Sequence, residues 1–155
     1  MAQLHVGTNA PDFTLTDQHG GTLTLSDLRG KPVVVYFYPR ADTPGCTQQS
    51  CNLRDAMPDL ERLGVAVLGI SPDPPAKQAK FDTKYTLGFP LLSDADHAVA
   101  DAWGAWGEKS MYGKTSMGII RSAFVVDPAG KIAGAFYKVS PKDTVPKAQA
   151  VLDSL

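Results

Sequence analysis

The sequence predicts one α/β domain, spanning residues 1–155, built on a mixed central sheet flanked by helices. Three observations carry that reading. Val33-Val-Val-Tyr-Phe-Tyr38 and Val65-Ala-Val-Leu-Gly-Ile70 are continuous apolar runs of strand length, the pattern of strands covered on both faces. Between them Leu53, Met57, Leu60 and Leu63 recur at helical spacing. The chain of 155 residues carries no internal repeat or long polar linker, and it suffices for one domain with its own core.

The elements follow in order. Phe13 and Leu15, then Leu23 and Leu25, alternate with other residues around the Gly20-Gly21 turn, which predicts an N-terminal β-hairpin. Val33 to Tyr38 is the expected sheet centre. A helix starts near Pro44 and is expected to break or restart at Pro58, because proline fits best in a first helical turn. After the second buried strand, Pro74-Pro75 opens a helix toward Tyr85, Phe89-Pro-Leu-Leu92 forms a short strand, and Ala95 to Trp103 is helical. Ser122 to Asp127 and Lys131 to Tyr137 read as a hairpin across Asp127-Pro-Ala-Gly130, and a helix from about Pro141 to Leu155 closes the fold.

Charge excludes some classes of partner. Fifteen basic residues stand against 16 acidic ones, so nothing biases the surface toward nucleic acid or an anionic membrane. The longest strongly apolar run, Val33 to Tyr38, is too short to span a bilayer. Met1 to Gly7 lacks a basic region followed by an apolar stretch, so a cytoplasmic protein acting on a small molecule or a protein is expected. In that reducing compartment two nearby cysteines, Cys46 and Cys51, point to redox or metal chemistry rather than to a structural staple. His5, His19 and His97 show no ligand-like spacing with each other or with the cysteines, so no metal is expected. A thioredoxin-type exchanger would present Cys-x-x-Cys, and the spacing here is wider.

The segment Pro39-Arg-Ala-Asp-Thr-Pro-Gly-Cys46 joins the central strand to the next helix, where α/β folds place ligands. Pro44 disfavours the α conformation at Thr43 and suits the first helical position itself, so Cys46 falls in the first turn. Free backbone N–H groups and the positive end of the helix dipole stabilise an anion there, which favours a thiolate. The Thr43 hydroxyl has two readings, a cap on the backbone N–H of Cys46 or a group that orients a substrate oxygen. Gly45 removes a side chain beside the sulfur, opening the backbone donors to a small substrate. Residues five apart on a straight helix have Cα atoms about 8.6 Å apart, beyond the roughly 7 Å that a disulfide tolerates. If Cys46 and Cys51 share one helix when reduced, bonding them requires that helix to unwind in part. An inert buried pair is the plain alternative.

Pro39, Thr43 and Cys46 match the peroxiredoxin motif Pro-x-x-x-Thr-x-x-Cys, and with Cys51 five residues on the sequence resembles the bacterioferritin comigratory protein, or Q-type, branch. The resemblance extends through Ala10-Pro-Asp-Phe13, Gly69-Ile-Ser71, Phe89-Pro-Leu-Leu-Ser-Asp94, Gly107-Glu-Lys109, and Arg121 before Phe124. It implies a thioredoxin-like fold and a peroxidase with no metal or organic cofactor. It makes Cys46 the peroxidatic cysteine, Cys51 the resolving cysteine, Thr43 the hydroxyl that orients the peroxide, Pro39 the shield of the pocket and Arg121 the guanidinium beside the sulfur. Only the resemblance singles Arg121 out from Arg40 and Arg54. The implied substrates are hydrogen peroxide and organic hydroperoxides, with thioredoxin, or glutaredoxin, as reductant. An intramolecular disulfide needs no second subunit, so a monomer is expected.

Gln49 stands where other peroxiredoxins often carry Glu. Trp103 and Trp106, near Met111 and Tyr112, fit core packing better than an apolar wall for organic hydroperoxides. The histidines are expected to be structural or on the surface. A peroxide-sensing switch without high turnover is the main alternative function, a binding or structural domain with inert cysteines the second, and within enzymes the closest competitor is a disulfide reductase. Repeated peroxide consumption separates a peroxidase from all three.

Overall fold

The computed structural model of the protein describes residues 3–111 and 113–155, the side chain of Met111 excepted. Its main sheet is mixed and thioredoxin-like in arrangement, and it is built outward from the strand the sequence places at its centre. That strand, β3 (Val33–Phe37), follows the N-terminal hairpin of β1 (Thr14–Thr16) and β2 (Thr22–Thr24). All five of its residues are buried. It pairs in parallel with β4 (Ala66–Ser71), which pairs in parallel with β5 (Leu91–Ser93). On its other side it runs antiparallel to β8 (Ser122–Val126), and β8 to β9 (Ile132–Tyr137). The hairpin joins at Thr16 opposite Ser93, giving seven strands in the order β2-β1-β5-β4-β3-β8-β9.

Alternation along β3 divides the core into two. Val34, Tyr36 and the following Tyr38 face one layer with Leu53, Leu60, Phe81, Ala148 and Leu152. These come from α1 (Pro44–Arg62), α2 (Pro75–Tyr85) and α4 (Thr144–Asp153). Val33, Val35 and Phe37 face the other layer, where Trp103, Phe124 and Phe13 meet. Trp103 and Phe124 have ring centroids 5.0 Å apart, and the Trp103 indole N–H donates to the Pro11 carbonyl at 3.2 Å. Burying this area on both sheet faces is what fixes the strand positions.

Three expectations need correction. Pro58 does not break the helix: α1 runs unbroken from Pro44 to Arg62, with Pro58 inside it on the solvent side. There water can serve the Arg54 carbonyl that the missing N–H leaves free. The helix expected from Ala95 to Trp103 shortens to α3 (Ala98–Ala102), because the buried Asp94 carboxylate takes the N–H groups of Val99 and Ala100 and starts it late. The closing helix begins with a 3-10 turn over Pro141–Asp143 before α4. The structure also adds a separate hairpin, β6 (Trp106–Met111) with β7 (Lys114–Ile119), that the sequence reading left undescribed. Among the described residues no helix is long and apolar enough to cross a membrane.

Candidate active site

The segment from Pro39 to Thr43 leaves β3 and is pinned from two sides. Buried Asp73 accepts the backbone N–H of Ala41 at 2.7 Å. Asp42, at φ 60°, accepts from Lys84 Nζ at 2.8 Å and Tyr85 Oη at 2.6 Å on α2. Asp is among the few residue types that tolerate this left-handed region. Thr43 is extended, at φ −104° and ψ 157°, with Pro44 starting α1 behind it. The capping alternative for its hydroxyl is not what the structure shows, since Thr43 Oγ1 donates to the Arg40 carbonyl at 2.9 Å. Its lone pairs stay free to accept.

Cys46 is therefore the third residue of α1, in the turn whose leading N–H groups have no partner within the helix. It is 1% exposed. Cys51 lies on the same helix, half-buried, and both thiols are reduced. Arg121, in the link between β7 and β8, reaches back across the sheet end and donates from Nη2 to Cys46 Sγ at 3.3 Å. Its Nη1 donates to Gln49 Oε1 at 2.8 Å. Gln49, fully buried one turn after Cys46, donates in turn from Nε2 to Thr144 Oγ1 at 3.0 Å, and Thr144 donates to the Ser140 carbonyl at 3.1 Å. Arginine only donates, so it fixes the Gln49 amide with its oxygen inward. With a neutral residue at 49, the guanidinium has no carboxylate partner among the described residues and is directed at sulfur.

Gly45 has a use that the sequence did not suggest. A Cβ there would stand 3.0 Å from Arg121 Nη2 and 3.5 Å from Pro141 Cγ, so the missing side chain makes room for the guanidinium. Below the site, Tyr36 Oη and Ser50 Oγ share a hydrogen bond of 2.8 Å. Burial pushes the Tyr36 phenol far above its usual range, which keeps it neutral beside the sulfurs. The same phenol occupies the space a Cβ at Gly69 would need, at 2.8 Å. Outside, Pro39, Ile120, Arg121, Val139 and Lys109 line a cavity of about 500 Å³.

The structure thus brings Cys46 and Arg121 into contact, sets Pro39 on the cavity wall beside Arg121, and places Thr43 just ahead of α1 and Cys51 five residues beyond Cys46 along it. Gln49, Thr144, Tyr36 and Ser50 complete the surroundings without having been selected as site residues. Gln49 and Ser50, at i+3 and i+4 from Cys46, had a signal in their spacing, whereas Thr144 had none. Trp103 does not line the site, being fully buried in the opposite core layer, and Trp106 stacks on His97 with centroids 3.7 Å apart. Tyr112 and the Met111 side chain lie outside the described residues.

A family model described as AhpC/TSA matches residues 6–135. The chain belongs to the AhpC/TSA family. It is 52% identical to peroxiredoxin Bcp of Escherichia coli K12 over 136 residues, 88% of this chain and 87% of that one. With peroxiredoxin Bcp of Bacillus subtilis it shares 41% over 152 residues, 98% and 97% of the two chains. Among solved structures it superposes on the bacterioferritin comigratory protein of Xanthomonas campestris with a TM-score of 0.84 and 34% identity, covering 97% and 96% of the chains. The corresponding values for peroxidoxin BcpB of Mycobacterium tuberculosis are 0.88, 37%, 99% and 99%. This peroxiredoxin is a thiol-dependent peroxidase, and the surroundings of Cys46 offer a cation at the sulfur, the leading N–H groups of α1 and, beside Arg121, a cavity.

Proposed function

We propose that Cys46 attacks hydroperoxides as a thiolate and that Cys51 resolves the product. The contact of Arg121 Nη2 with Cys46 Sγ at 3.3 Å carries this reading, because it selects one of the two thiols as the anion. The thiolate attacks the terminal peroxide oxygen, the O–O bond breaks, and charge moves onto the departing oxygen. Arg121, the N–H groups of the first turn and the Thr43 hydroxyl are aimed where that charge travels, and Pro39 shields the reacting atoms from water. Cys46 becomes a sulfenic acid. It condenses with the Cys51 thiol, releasing water and forming an intramolecular disulfide that prevents over-oxidation. Both residues occupy α1 in the reduced protein, so the first turns of α1 unwind in that step. Thioredoxin, or glutaredoxin, then reduces the disulfide by exchange in the cytoplasm.

Hydrogen peroxide and organic hydroperoxides are the substrates. The Xanthomonas campestris relative is described with alkyl peroxide reduction activity, and the cavity beside Arg121 is large enough for a small organic group. The enzyme acts as a monomer in antioxidant defence and redox homeostasis. The deciding experiment is a rapid-quench thiol count by intact mass. Reduced protein given one equivalent of hydrogen peroxide loses both free thiols to one internal disulfide within a second, while Cys46→Ser keeps Cys51 alkylatable. Both proteins remaining fully alkylatable would overturn the reading.

A further inference from the structure

The cavity beside Arg121 is also lined by a half-buried cation that the thiolate chemistry above does not use. Lys109 lies on β6 and half-buried against the hairpin, with its stem running diagonally across β7. A Cβ at Gly118 would stand 3.0 Å from Lys109 Cδ, so the glycine leaves the slot in which the stem lies. Lys109 lines the same cavity of about 500 Å³ as Pro39 and Arg121. Glu108 and Lys138 line its rim and are exposed.

We propose that Lys109 is a further catalytic residue, the acid that protonates the oxygen leaving the peroxide when Cys46 attacks. The proposal rests on Cys46 being the attacking thiolate. In R–O–O–H the sulfur bonds to the terminal oxygen and the O–O electron pair departs with RO⁻. Lys109 gives one N–H proton to RO⁻, releasing ROH, and the neutral amine regains a proton from water. Sulfur is oxidised by two electrons and the O–O bond is reduced by the same two. Arg121 cannot take this part, because a guanidinium holds its proton and stabilises charge only as a donor. Burial, with the neighbouring Arg121 charge, pushes the Lys109 ammonium below the usual lysine value against the opposing pull of Cys46. That direction makes an ammonium a better acid near neutral pH.

The leaving group reports on the proton. Stopped-flow rates of Cys46 oxidation are measured for wild type, Lys109→Met, Lys109→Arg and Gly118→Ala with tert-butyl hydroperoxide and with peracetic acid, whose acetate leaves without a proton. General acid catalysis contributes about 10²–10⁴ in rate. Lys109→Met and Lys109→Arg therefore lose about 10²-fold with the alkyl hydroperoxide and under about threefold with the peracid. Gly118→Ala, which keeps the amine but crowds its stem, shows the same selective loss in smaller measure. Equal slowing of both peroxides, or full alkyl activity in Lys109→Arg, overturns the proposal. Wild type that forms no sulfenic acid or disulfide at Cys46 would instead bring down the thiolate assignment on which it rests.

Discussion

Replacing Arg121 by Met removes the side-chain cation that, among the described residues, is in contact with the sulfur, and leaves the backbone intact. The guanidinium makes two bonds, 3.3 Å to Cys46 Sγ and 2.8 Å to Gln49 Oε1. A hydrogen bond to a charged group contributes about 1.5–3 kcal/mol, and a donor aimed at developing charge about 10²–10³ in rate. With about 1.36 kcal/mol per tenfold, the two scales meet near 10²-fold. Arg121→Met should therefore oxidise at Cys46 about 10²-fold more slowly with hydrogen peroxide, measured by stopped flow or quench and mass. Arg121→Lys keeps the charge but cannot hold sulfur and Gln49 in one planar fork, and should retain roughly a tenth of the rate.

Gln49 supplies the internal control. It acts on sulfur only through Arg121, so Gln49→Leu should slow oxidation several-fold, while the Arg121→Met/Gln49→Leu pair should be no slower than Arg121→Met alone. Stability should run the other way. Arg121→Met leaves the buried Gln49 oxygen without a donor, which costs about 1–3 kcal/mol in urea unfolding, and Gln49→Leu in the pair recovers much of it. An Arg121→Met rate within about threefold of wild type, or additive rate losses in the pair, would refute this account of the site.

Two further outcomes follow from the elements around it. Pro58→Ala restores the hydrogen bond to the Arg54 carbonyl in the middle of α1, and urea unfolding should show a gain of up to about 3 kcal/mol; an unchanged or lower midpoint counts against a continuous helix. Lys84 and Tyr85 hold the Asp42 carboxyl below its ordinary 3.8, and Asp42 holds Lys84 above its ordinary 10.5. The carboxylate side of this tie is thus complete above pH 3.8 and lost as pH falls through the lower folded value. The ammonium side is complete below 10.5 and lost as pH rises through the higher one. The side-chain carboxyl resonance of Asp42 should titrate below 3.8 and return toward it in Lys84→Met, and a midpoint at or above 3.8 in wild type would contradict the tie.

What the sequence made legible here is what short-range physics decides. The apolar run of β3, the Thr43-Pro44 helix start and the place of Cys46 in the first turn depend on neighbours within a few residues, and the structure keeps them. The β6 and β7 hairpin escaped notice because it lies outside the main sheet and β7 is exposed along most of its length, so no alternation marks it. Pro58 misled because its cost falls on an exposed face, where water offsets part of the lost hydrogen bond. The chemistry shows the same division. The helix start presents donors for an anion, yet many helix starts do so without catalysis. What separates this one is a guanidinium 75 residues away in the chain, steadied by Gln49, which is itself held by Thr144 a further 95 residues from it. Arginine's partner is set by the fold and leaves no local pattern, so only resemblance singled out Arg121, and nothing in the spacing pointed to Thr144. Because the guanidinium that touches Cys46 Sγ is held by contacts between α1, the link into β8 and the start of α4, the proposed thiolate should exist only while those elements are docked. Unwinding α1 to reach Cys51 would then both resolve the sulfenic acid and end the reactivity of Cys46 in the same motion.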